Sequence, residues 1–182
     1  FTDLAADCIS YQFFEGNTIV PDPHARRFVG SVPFGKERRT QDLKALIPEE
    51  SFDWDSDARP RIPYQDCLCY CLHVRGFTKH ISSGVEHRGT FAGLVEKIDY
   101  LKSTGITTLE LQPAYEFTEI PTEEERRQAA GVDTMAHAAS EADLDMLAPK
   151  KCNYWGYKKG YYYAPKGSYA AGGDACREFK QM

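Results

Sequence analysis

Two apolar stretches of strand length bracket one amphipathic helix, and no other feature restricts the fold of this chain as much. Asp66 to Val74 is nearly continuous in apolar and thiol residues, the texture of a strand buried on both faces. A loop carrying Gly76, Gly84 and Gly89 follows. Phe91, Leu94, Val95, Ile98 and Leu101 then recur at helical spacing and predict a one-sided helix from about Phe91 to Ser103. Gly105 suits the left-handed residue that ends such a helix, and Ile106 to Leu111 reads as a second strand stopped by Pro113. Strand, helix and strand at this separation form a βαβ unit, so both strands should be parallel and buried, and the class is α/β.

The charge balance narrows the function. Among 182 residues, 27 acids face 22 bases for a net charge of −5, which disfavours a dedicated nucleic-acid binder because phosphate binding needs a basic face. No run approaches roughly 18 uncharged apolar residues, so no spanning helix is expected and no membrane partner. The chain opens at Phe1 without a basic-then-apolar leader. Cys67, Cys69 and Cys71 alternate, which on a strand turns all three to one face; they read as small buried hydrophobes. Cys8, Cys152 and Cys176 read as isolated thiols, and reduced thiols point to the cytoplasm. No C-x-x-C pair occurs, so a structural zinc site lacks its usual ligands. Among the five His, His73 extends the cysteine face and is expected to be a hydrogen-bonded core imidazole rather than a metal ligand. The H-E-x-x-H, Walker, G-x-G-x-x-G and G-x-S-x-G patterns are all missing, which removes support for the chemistries they carry. A nucleophilic Cys or Ser stays open, since triads are spread through a sequence.

Composition divides the chain into three. Residues 1–47 read as short strands and turns, with Cys8 to Phe14 and Thr18 to Val20 flanking a turn at Glu15-Gly16-Asn17, and Pro21-Asp22-Pro23 ending the pair. Residues 48–65 have linker composition, proline-punctuated and acidic, with Phe52 and Trp54 as anchors. Residues 66–182 hold the βαβ unit and the rest of the chain. Within them, 118–150 carry eight acids against three bases and read as a solvated helical insertion, opened by a capping box of Thr122 and Glu125. Asp174 is a candidate N-cap for a helix that starts at Ala175.

From Lys151 to Tyr169 there are seven aromatic residues in nineteen, six of them Tyr. Each buried tyrosine hydroxyl needs a partner, so packing alone rarely asks for so many in a loop. Flat rings with hydroxyl tips suit sugars, whose C–H faces stack while their OH groups hydrogen-bond. A loop mini-core is the competing reading. Base stacking is disfavoured by the missing positive field.

Several segments resemble the α-amylase superfamily of glycoside hydrolases, in its pullulanase, isoamylase and glycogen-debranching branch. Asp22-Pro23-His24-Ala25-Arg26 resembles the D-P-Y-A-(R/K) that follows the N-terminal β-sandwich of those enzymes. Tyr70-Cys71-Leu72-His73-Val74-Arg75-Gly76-Phe77-Thr78 resembles the Y-E-L-H-V-R-G-F-T of their first barrel strand. Gly89-Thr90-Phe91-Ala92-Gly93-Leu94 is similar to the first barrel helix, and Leu109-Glu110-Leu111-Gln112-Pro113 to the second strand. Asn153-Tyr154-Trp155-Gly156-Tyr157 and Ala164-Pro165-Lys166-Gly167-Ser168-Tyr169 are similar to the loop that precedes the second helix. The resemblance spans roughly residues 18–182, less the acidic insertion. His24 replaces Tyr, Cys71 replaces Glu, and Gln112 replaces an apolar residue.

The resemblance implies an incomplete (β/α)8 TIM barrel: its first two strands, first helix and the start of the second, preceded by the end of a β-sandwich module. A whole barrel takes about 250 residues, so the chain is expected to be a fragment that neither folds cooperatively nor turns over pullulan alone. The implied chemistry is retaining hydrolysis of α-glucans (pullulan, glycogen, amylopectin), most often at α-1,6 branch points, through a covalent intermediate. The catalytic carboxylates would belong to the remainder of the barrel, beyond Met182. Glu116, Asp174 and Glu178 match no catalytic position and are expected to have surface or capping roles. Substrate-binding positions carried over are Tyr157, as the ring beneath the sugar at the cleavage point, with Trp155 and Asn153 shaping its turn and Gln112 at the strand end. No cofactor is implied for this chain; calcium is compatible with the parent enzyme and has no signature here. A glycogen-branching or trehalose-releasing relative, or a non-catalytic glucan-binding module, stays open.

Overall fold

The computed structural model describes residues 9–47, 51–131 and 141–182; the expectation placed on Cys8, and those on residues 48–50 of the linker and 132–140 of the acidic segment, lie outside them. The N-terminal part is short antiparallel strands. β1 (Ser10–Tyr11) is followed by the β2 (Phe13–Glu15) and β3 (Thr18–Val20) hairpin, then β4 (Phe28–Val29) and β5 (Lys44–Leu46). β5 lies between β1 and β4 in one sheet. Glu15 pairs with Thr18, so the hairpin turns on two residues, and Gly16 at φ +60° takes the first of them as such turns demand.

The βαβ unit forms as the periodicity predicts. β6 (Cys69–Leu72) and β7 (Thr108–Leu111) pair in parallel, Cys69 opposite Thr108 through Leu72 opposite Leu111. The crossover between them contains α1 (Val74–Thr78), α2 (Phe91–Val95) and α3 (Ile98–Ser103). Two corrections apply. The single helix expected over 91–103 is broken, because Glu96 turns its carboxylate back onto the amides of Glu86 and His87 and the backbone tightens there, Lys97 donating to Leu94 rather than one residue earlier. β6 is also not buried on both faces. Cys69, Tyr70 and Cys71 are exposed, Cys67 is half-buried and β7 has no fully buried residue, because the sheet has two strands among the described residues and both of its faces stay partly open. The thiol stripe is therefore not a set of core hydrophobes.

Gly105 ends α3 at φ +83°, with Ile106 donating to Leu101 and Gly105 to Lys102, the double bond of a Schellman cap. The core gathers Leu72, Val74, Phe91, Leu94, Leu101, Phe117 and Tyr169. Each large apolar side chain buried this way contributes about 1.5–3 kcal/mol.

Beyond β7 come β8 (Tyr115–Phe117), α4 (Glu123–Ala129), α5 (Glu141–Leu147), β9 (Gly160–Pro165) and α6 (Ala175–Gln181). The aromatic segment is not all loop: β9 pairs antiparallel with β8. Thr122 and Glu125 form the expected capping box, and Asp174 caps α6 by accepting from Arg177. The acidic segment is only partly solvated. Glu123 and Glu124 are exposed, whereas Glu119, Arg126 and Leu144 are buried. Arg126 holds α4 and α5 together, through the carbonyl of Ala148 at 2.7 Å and the carboxylate of Asp145.

Candidate functional site

The turn 153–157 sits where the ends of β6 and β7 meet it. At the end of β6, His73 is buried, and its Nδ1 accepts from the amide of Gly76 at 2.9 Å. That leaves Nε2 to carry the proton, which it donates to the Tyr154 carbonyl at 2.9 Å, with the Tyr169 hydroxyl 3.1 Å away. The imidazole stacks on the Tyr154 ring at 4.5 Å and 13°. Burial lowers its pKa from 6.5, so it is neutral at pH 7. The core-imidazole expectation holds, and His73 ties strand end to turn.

Asn153 fixes the start of the turn. Its amide donates to the Glu119 carbonyl at 2.7 Å and its side chain to the Thr118 carbonyl at 3.3 Å. Gly156 makes the turn possible. At φ +77° it lies so close to Phe117 that a β-carbon would fall 2.4 Å from the ring, and the Tyr115 hydroxyl donates to its carbonyl at 3.0 Å. Trp155 stands edge-on to both His73 and Tyr154, half its surface exposed.

Tyr157 is 70% exposed. Its hydroxyl donates to Gln112 Oε1, and Gln112 Nε2 donates to the Cys71 sulfur at 3.1 Å. Cys71 in β6 and Gln112, one residue past β7, therefore touch each other, and Gln112 holds the hydroxyl of the exposed ring. All four residues singled out in the sequence converge on this turn: Tyr157 and Trp155 present ring surface, Asn153 braces the backbone, and Gln112 orients Tyr157. The result is an open shelf. Neither Tyr157 nor Trp155 lines the 780 Å³ or the 640 Å³ cavity of the molecule.

The surface role expected of Glu116 is wrong. It is fully buried and accepts from Arg38 at 2.7 Å, Lys166 at 2.9 Å and the Gly167 amide at 2.7 Å. Lys166 also reaches Glu119 at 2.8 Å. Burial pushes the Glu116 carboxyl up, but the Lys166 and Arg38 charges outweigh it and leave the value below the ordinary one. Local sequence held no signal for this, because the partners lie far along the chain. Asp174 pairs with Arg27 at 3.0 Å, and Glu178 accepts from the Ala171 amide at 2.9 Å. All three carboxylates are engaged in structural contacts. Among the described residues no cluster of three His, Cys, Asp or Glu is arranged to hold a metal ion, and no helix is long and apolar enough to cross a membrane.

No family model matches the chain. It is homologous to a stretch of debranching-type glycoside hydrolases. Chloroplastic isoamylase 1 of Oryza sativa subsp. japonica is 33% identical over 181 residues, covering 93% of this chain and 20% of that protein. A glycogen operon protein GlgX homolog of Mycobacterium tuberculosis is 31% identical over 186 residues, covering 88% of this chain and 23% of that protein. Among solved structures, a product complex of the multi-modular glycogen-degrading pneumococcal virulence factor SpuA superposes with a TM-score of 0.60 at 22% identity, covering 94% of this chain and 18% of that one. A Paenibacillus barengoltzii pullulanase in complex with maltohexaose and alpha-cyclodextrin gives 0.58 at 22% identity, covering 94% and 25%. These structures share the fold. The chain spans about a fifth of the length of the curated relatives it matches.

Proposed function

We propose that this chain is the substrate-positioning section of an α-glucan-debranching glycoside hydrolase, with Tyr157 as the floor for a glucose unit. The observation that carries the reading is the exposed Tyr157 ring, held by its hydroxyl to Gln112 at the end of a parallel strand. Active sites of (β/α)8 barrels form at this end of the strands. On this reading, residues 66–182 begin such a barrel, 1–47 end a β-sandwich module, and 48–65 link the two. Relatives named isoamylase and glycogen operon protein, and a structural neighbour solved with maltohexaose and alpha-cyclodextrin, support an α-glucan as substrate; on this reading the bond cleaved is α-1,6 by preference.

The bond would break by double displacement, one carboxylate attacking the anomeric carbon and a second protonating the leaving oxygen, about 5–5.5 Å apart. Both acids belong on this reading to polypeptide outside the chain. A stacked ring positions the sugar, and it adds to rate only where it fits the flattened transition state better than the ground state. The free thiols among the described residues favour a reducing compartment; the Oryza sativa relative is chloroplastic, so a plastid fits as well as cytoplasm.

Affinity electrophoresis through amylopectin tests the proposal on the full natural protein that carries this chain. Tyr157→Ala is expected to lose about tenfold in affinity, ~1.4 kcal/mol. Gln112→Leu, which keeps the ring and frees its hydroxyl, should lose less. Equal retardation of Tyr157→Ala and wild type overturns the assignment.

A further inference from the structure

We infer that the 780 Å³ cavity between residues 27–34, the α1 end and the turn before α6 is a binding site for a phosphorylated saccharide. Its volume falls within the roughly 300–1,000 Å³ typical of small-molecule sites. The charges around it do not cancel. Arg27 is neutralised by Asp174, and Glu116 by Arg38 and Lys166. That leaves Arg75, Lys79 and Arg88 lining the cavity, none with an ion-pair partner among the described residues.

The three are brought together by the backbone. Arg75 and Lys79 are four residues apart on one helical turn, and both lie over Gly89, where a β-carbon would sit 3.0 Å from Lys79 Cδ and 3.3 Å from Arg75 Cγ. Arg88 immediately precedes Gly89 and lines the same cavity. Like charges at this spacing repel, and solvent-exposed lysines ordinarily swing apart. Arg75 is held instead, its guanidinium 4.3 Å above the Phe34 ring. In a chain of net charge −5, a concave cluster of cations with no contacting counter-ion among the described residues favours a multiply charged anion. A phosphate monoester has the charge and the acceptor oxygens that three such donors fit.

The ester's other half follows from the walls. The cavity extends past the cations to Ser31 and the backbone of Gly30 and Gly173. Its two aromatic residues are already engaged: Phe34 is covered by Arg75, and Phe28 packs on Tyr161 with ring centres 4.8 Å apart. The walls therefore offer hydrogen-bonding groups to a hydroxyl-bearing ring more readily than a stacking face to a flat base. The cavity shares no lining residue with the Tyr157 shelf, so the two sites stand or fall separately.

Isothermal titration of the full natural protein with glucose 6-phosphate, inorganic phosphate and glucose tests this. Glucose 6-phosphate should bind more tightly than either other probe, and more weakly as salt is raised. Lys79→Gln with Arg88→Gln, both at exposed positions, should weaken it at least about tenfold by removing two of the three charges. Lys79→Arg should retain binding, and Tyr157→Ala should leave it unchanged. The inference is overturned if wild type does not bind, if the double variant binds equally well, or if phosphate or glucose alone binds as tightly.

Discussion

His73 shows how a single side chain joins the core to the candidate site. Burial holds its folded pKa below 6.5, so between that lowered value and 6.5 the unfolded chain binds a proton that the folded chain refuses. Stability therefore rises with pH across this window, is complete above 6.5, and is lost as pH falls through the folded value. The melting temperature of the full protein should drop on acidification from pH 7 towards 5, before most carboxylates titrate. His73→Gln should flatten that slope. A melting temperature with the same pH profile in the variant would remove His73 from the account. The alternation of Cys69, Cys71 and His73 predicts a core imidazole, but its burial comes from the Tyr154 turn beyond the end of β6 and not from a face shared with the exposed cysteines. The fate of the cysteines was not legible: alternation says which residues share a face, whereas exposure depends on what covers that face.

At the scale of elements, α2 sets propensity against packing. Gly93 lies mid-helix, where replacing glycine by alanine ordinarily gains about 1 kcal/mol. Here an added β-carbon would lie 2.1 Å from the carbonyl oxygen of His87, a backbone atom that has no rotamer to change. Overpacking of this kind costs about 1–3 kcal/mol, so sterics win and Gly93→Ala should lower the urea midpoint of unfolding. An unchanged or higher midpoint would mean the 86–89 loop yields freely. The helices and parallel strands of this region were readable because their signals are local: apolar spacing, a glycine stop, a proline stop. The break at Glu96 was not, since it depends on a side chain that folds back onto a loop. The β8–β9 pair was missed for a related reason. Tyr115–Phe117 finds its partner at Gly160–Pro165 across the whole acidic segment, and the density of Tyr there reads equally as strand or loop.

For the whole molecule, the decisive contact is the buried charge cluster of Arg38, Glu116, Glu119 and Lys166. Arg38 comes from the N-terminal segment and the other three from the region after β7. Nearby, the Glu119 carboxylate accepts from the Gly35 amide, and Ser31 packs so closely on Gly167 that a β-carbon there would lie 1.8 Å from its hydroxyl. Residues 31–38 are thus anchored to the segment that presents the aromatic turn. Removing one member of a buried pair strands the other charge and costs about 3–5 kcal/mol, whereas removing both together costs far less. Glu116→Gln and Arg38→Met should each be strongly destabilising. The double variant should cost clearly less than their sum, because Lys166 keeps Glu119 as its counter-ion. The wild-type contribution of Glu116, whose folded pKa is lowered from 4.5, should be complete above 4.5 and lost as pH falls through the folded value. Limited proteolysis supplies an independent reading: Glu116→Gln should open cleavage within residues 31–39 before the rest of the protein becomes susceptible. If the two single costs simply add, the four charges are not acting as one junction.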